Sequence, residues 1–121
     1  MQRFTHIYRI ILLLISGLVE LSVAVIMVFH PSAFLHELTF EETNLAHSFA
    51  SGALGISLLS LLLLRFRSKE TSIVGFSVLI VYHTGIGMAQ HAMLPAVLFH
   101  SWLVFSFVFL LVRTLVSTNV G

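Results

Sequence analysis

The chain has 121 residues, of which 58% are hydrophobic and 9% charged, with a net charge of +1. A soluble domain is about one quarter charged, so this composition points to a membrane protein of one domain, residues 1–121. The small net charge gives nucleic acid no electrostatic purchase. The absence of cysteine excludes disulfides, thiolate catalysis, covalent c-type haem and thiolate zinc sites.

Residues 1–8 form a short polar lead with Arg3 and His6, and Arg9 follows closely. A first span is expected over residues 7–29, about the length a bilayer requires. A signal peptide is the rival reading, but the apolar run is long, Glu20 interrupts it and no small-x-small cleavage site follows. His30-Pro31 should end the helix, because proline disfavours helical geometry at the residue before it. Residues 31–43 then read as a loop. Phe34, Leu35, Leu38 and Phe40 suggest a short amphipathic piece on the membrane surface. Glu41 and Glu42, with Thr43 or Asn44 as the cap, suit the start of a second span over residues 44–64.

In that second span Ser48, Ser51, Gly52 and Gly55 form small-xxx-small steps that would admit a neighbouring helix closely. A basic turn, residues 65–70, leads to a third span over 71–94. Pro95 suits the first turn of a fourth, over 95–116. The expected fold is therefore an all-α integral membrane protein, with four transmembrane helices in an up-down antiparallel bundle. In this arrangement Arg3, Arg9, Arg65, Arg67, Lys69 and Arg113, which are all the lysines and arginines, share one side. The positive-inside rule then places both termini in the cytoplasm, with the bacterial inner membrane as the expected location.

The third span carries the most informative pattern. Gly75, Leu79, His83, Gly87 and Gln90/His91 follow the spacing of one helical face. Polar groups in a lipid-embedded helix usually face the protein interior or a wet cavity. Counted at 1.5 Å per residue from the span ends opposite the basic residues, Glu20 and His83 both lie roughly 13–15 Å deep. His47, His91 and His100 lie in a shallower layer, roughly 3–8 Å deep.

An ionised carboxylate in hydrocarbon is costly, so Glu20 should be neutral or paired, and His83 is its natural partner. The two, with Gln90, could bind a ligand or transfer a proton, or the pair could simply lock two helices together. His47, His91 and His100 could supply three nitrogens to a divalent transition metal. The bland reading of each is a solvated interfacial histidine. Two histidines could alternatively ligate a b-type haem between helices. His83 and His91, about 12 Å apart along one helix, could not share a metal directly. No HExxH or Glu-x-x-His pair occurs, so zincin and di-iron chemistry lack a motif. His6, His30 and His36 read as solvated, Tyr8, Tyr82 and Trp102 as belt or packing aromatics, and Met27, Met88 and Met93 as no thioether cluster.

The segments ISGLVELSVAVIMVFHPSAFL and AHSFASGALGISLLSLLLL resemble the small four-helix bacterial membrane proteins of the DoxX-like type. The resemblance covers about half of the chain. It implies an accessory role, in some members beside quinone-linked redox systems, and it transfers no site residue. Three functions stay open from the sequence. The first is metal or haem binding in a redox or metal-handling role. The second is an accessory subunit that joins a larger membrane complex or a homo-oligomer through the Gly/Ser face of the second span. The third is a protein acting on a lipid or quinone, with Glu20 and His83 moving protons.

Overall fold

A computed structural model describes residues 2–33 and 39–117. Among these, four helices account for most of the chain: α1 (Gln2–Phe29), α2 (Phe40–Arg65), α3 (Lys69–Ala89) and α4 (Leu94–Val116). All four are long and apolar enough to cross a membrane. A short 3-10 turn, Pro31–Ala33, follows α1. The amphipathic piece expected around Phe34, Leu35 and Leu38, and His36 with it, lies outside the described residues.

The helix boundaries follow local chemistry. Helix α1 stops at Phe29, two residues before Pro31, as the proline requires. Helix α2 begins four residues earlier than the expected span. Its cap is Thr39 rather than Thr43 or Asn44: the Thr39 hydroxyl accepts from the Glu42 amide, and the Glu42 carboxylate accepts from the Thr39 amide. This is a capping box, and the spacing Thr39-x-x-Glu42 is its sequence signature. Ser68 caps α3 by accepting from the Thr71 amide. Pro95 sits in the first turn of α4, where a missing N–H leaves no helical bond unmade.

Helix α1 packs most extensively on α2, and α3 on α4, with thinner contacts between α2 and α3 and between α1 and α4. The apolar core lies where the pairs meet and is built from Leu12, Leu13, Leu63, Phe76, Leu79, Leu103, Phe107 and Leu110, with Ile56 beside them. Phe76 and Phe107 stack at its centre, their rings 6.0 Å apart. Gly75 lets α2 and α3 come together: a Cβ there would lie 2.5 Å from a Leu63 methyl.

The contact between α1 and α2 does not use the small-xxx-small steps of the second span. Helix α2 turns Ala46, Ala50, Ala53, Ser57 and Ser60 inward. Small residues do let the backbones approach, and the Ser57 hydroxyl donates to the Gly17 carbonyl of α1 at 2.8 Å. The Ser48, Ser51, Gly52 and Gly55 positions lie on the exposed side instead. The Ser48 and Ser51 hydroxyls donate back to their own helix, and a Cβ on Gly52 or Gly55 would meet nothing within 4 Å. Both faces are rich in small residues, so sequence spacing alone did not separate them.

One end of the molecule gathers cationic side chains. Arg9 donates to the Leu63 carbonyl at 2.9 Å, and Lys69 donates to the Leu115 and Ser117 carbonyls. Nearby, the Tyr8 hydroxyl donates to Ser106 at 2.6 Å. Pro31 follows α1 and Pro95 opens α4, and residues close to both in sequence, Met27 and Ala96, line one cavity.

Candidate metal centre

Toward the proline end of the core, three helices send ionisable side chains to one point. Glu20 comes from α1, His83 from α3 and His100 from α4, all three buried, with exposures of 2%, 0% and 7%. One donor atom from each lies within 4.8 Å of the others. His83 Nδ1 is 3.0 Å from His100 Nδ1 and 3.7 Å from Glu20 Oε1. The two imidazoles therefore meet nitrogen to nitrogen, so one ring must donate its N–H and the other accept.

Neighbouring groups fix each member of the trio. The Tyr82 hydroxyl donates to Glu20 Oε2 at 3.0 Å, which leaves Oε1 facing His83. On the far side of the His83 ring, Nε2 lies 3.2 Å from Ser16 Oγ, and Ser16 lies 3.2 Å from Ser60 Oγ. The ring is held in its plane by Phe107, which stacks on it at 5.8 Å and 11°, and by Tyr82, edge-on at 5.2 Å. Phe99 meets His100 edge-on at 5.5 Å. A buried carboxylate needs such partners because isolated charge is costly away from water.

The donor set is chemically suited to a divalent transition metal. Imidazole nitrogen and carboxylate oxygen are ligands for zinc and for iron, copper or nickel ions. Tetrahedral ligands at 2.0–2.1 Å from a metal place two nitrogens roughly 3.3 Å apart, close to the 3.0 Å separation of the two Nδ1 atoms. If Nε2–H of His83 donates to Ser16, its Nδ1 carries the free lone pair. That is the outer-sphere arrangement that commonly orients a ligating histidine.

The expected pairing of Glu20 with His83 corresponds to a direct contact. The expected trio of His47, His91 and His100 does not assemble. His100 joins the deeper pair, while His47 and His91 are both exposed. His91 Nδ1 lies 3.3 Å from the Met88 carbonyl of its own helix end. The cause is the end of α3. The expected span ran to Leu94, but the helix stops at Ala89 and turns through residues 90–93. His83 is thus six residues before the end of α3, and His100 six residues after the start of α4. Both therefore sit at one level, about 9 Å from their helix ends.

Beside the trio lies a cavity of about 360 Å³. Glu20 and His100 form part of its wall, with Gln90, Met27, Phe49 and Phe99. Gln90, expected on the site-bearing face, caps α3 and reaches this cavity rather than the three donor atoms. Ser16, Ser60 and Tyr82 were not legible as site residues. Ser16 lies one helical turn before Glu20 and Tyr82 immediately before His83, which is the signal that could have marked them.

Comparison of the chain with known proteins finds no matching family model, curated protein or solved structure.

Proposed function

We propose that the chain is a small bacterial inner-membrane protein that binds one divalent transition-metal ion through Glu20, His83 and His100, in a redox or metal-handling role. The observation that carries this reading is the convergence of three buried donor atoms within 4.8 Å of one another. An ion there would satisfy the carboxylate and both imidazoles at once, which the protein groups alone do by sharing protons. Haem fits less well, because the two imidazoles meet directly and leave no gap for a porphyrin between them.

In the proposed topology the four helices cross the bilayer in alternating directions. Contacts that tie the first turns of α1 to the end of α2 and to the middle of α4, and the start of α3 to the end of α4, support it. The cationic end then faces the cytoplasm with both termini, and the metal centre lies toward the outer side. The likeness of the first two helices to DoxX-like proteins is compatible with this reading. The exposed Gly/Ser face of α2 is the surface through which a homo-oligomer or a larger membrane complex would form.

A second reading, proton transfer to a lipid or quinone by Glu20 and His83, is favoured by the cavity that reaches Glu20, His100 and Gln90. Equilibrium titration of the untagged protein in mild detergent with Zn(II), followed by competition with a chelator, separates the two. Metal binding predicts one tight site that Glu20→Gln and His83→Ala each weaken. Equal zinc affinity in wild type and both variants would remove the metal assignment and leave proton transfer standing.

A further inference from the structure

Three donor atoms from protein are one fewer than a closed tetrahedral site uses; closed sites are structural, and sites with a free position bind exchangeable ligands. Among the described residues no fourth histidine, aspartate or glutamate joins Glu20, His83 and His100. The nearby hydroxyls are committed elsewhere: Tyr82 donates to Glu20, and Ser16 sits on the far nitrogen of His83. The remaining position must be filled from a space next to the trio.

Two spaces adjoin it. A groove of about 420 Å³ between α3 and α4 reaches His83 alone of the three. The cavity of about 360 Å³ reaches both Glu20 and His100. It is the side from which an incoming atom would approach two of the ligands at once.

The cavity also restricts what can enter. Among the described residues its wall is apolar apart from Glu20, His100 and Gln90, with no lysine or arginine. The metal, at +2 against the one carboxylate, would itself attract an anion, but no cationic side chain along the wall offsets the hydration an anion loses on the way in. An uncharged molecule with an apolar body suits Val23, Phe49 and Phe99, and Gln90 offers it one amide for a hydrogen bond. The volume lies at the lower end of the range for small-molecule sites.

We infer that the metal held by Glu20, His83 and His100 keeps one coordination position for a small, uncharged, largely apolar molecule that enters from the cavity and binds through a nitrogen or oxygen atom. This inference rests on the metal reading above and names the class of molecule that the site takes.

The test uses the full chain, untagged, loaded with Co(II) as a visible reporter of coordination. The probe is 4-phenylimidazole, an uncharged nitrogen donor with an apolar body; azide serves as the charged donor. The cobalt bands should shift and saturate with 4-phenylimidazole and respond more weakly to azide. Val23→Trp and, at a second lining position of the cavity, Ala96→Phe should leave the starting cobalt spectrum intact and weaken the response to 4-phenylimidazole at least about tenfold. Cobalt bands that 4-phenylimidazole does not move, or moves equally in wild type and both filled variants, would overturn the inference while the metal site stands. Failure of wild type to give protein-bound cobalt bands would overturn both.

Discussion

The two halves of the helical core solve different problems with similar side-chain volume. Toward the cationic end, Leu12, Leu13, Leu63, Phe76 and Leu110 fill the interior with apolar groups that ask nothing of their neighbours but contact. Toward the proline end, the same depth of burial holds Glu20, His83, His100, Ser16 and Ser60. Each of these has a polar partner at a defined distance. Phe107 belongs to both halves, stacking on Phe76 on one side and on His83 on the other. A core needing only stability would extend the apolar packing to both ends, since buried polar groups confer little net stability even when paired. The polar half is therefore where the proposed metal site is placed.

The sharpest way to break this contrast is to remove the residue common to both halves. Phe107→Ala should cost about 3–5 kcal/mol, through the lost burial and the cavity left behind. Thermal unfolding in detergent would show a large fall in midpoint, and metal binding would fall with it.

Changes confined to the polar half should separate binding from folding. Removing a proposed ligand, as in Glu20→Gln or His100→Ala, should weaken Zn(II) binding by more than the ~10–100-fold typical of outer-sphere partners. Binding should also weaken as the pH falls, because protons compete with the metal for the imidazoles and the carboxylate. Calorimetric titration across pH, in buffers of different ionisation enthalpy, would detect the protons released.

Ser16→Ala tests the support behind His83. It should weaken Zn(II) by about tenfold, since the ring loses the partner that sets which nitrogen faces the metal. Ser16→Thr, which keeps the hydroxyl, should restore much of that loss. An equal loss in both variants would indicate a packing effect at α1–α2 instead.

The smallest expected effect is at the cap. Thr39→Ala should destabilise the start of α2 by about 1 kcal/mol, measurable as faster amide exchange there, with metal affinity unchanged.

The helices were legible because their signals are local. Long apolar runs, Pro31, Pro95 and the basic residues 65–69 punctuate the sequence, and each marks a boundary the structure places within a few residues. The site was legible only in part. The placement of Glu20 and His83 at one depth relied on a polar group needing a partner, and the structure brings the two into contact. The assignment of His100 to a shallower layer depended on where α3 ends, and no residue between Ala89 and Leu94 is a proline or glycine to mark that end. A five-residue error in the boundary moved His83 by more than one turn relative to α4. The inward face of α2 was hidden for another reason. Alanine and serine on one side and glycine and serine on the other are equally small, and only packing distinguishes them.

Two triplets of residues thus compete for the proposed metal: Glu20, His83 and His100, which share a buried point, and His47, His91 and His100, which depth counting from the sequence put in one shallow layer. Metal content after loading with Zn(II) and desalting, measured on untagged wild type, His83→Ala and the His47→Ala/His91→Ala double variant, decides between them. One zinc per chain is expected in wild type, with near-complete loss in His83→Ala and retention in the double variant with affinity within about a factor of two. Zinc kept by His83→Ala and lost by the double variant would contradict that expectation.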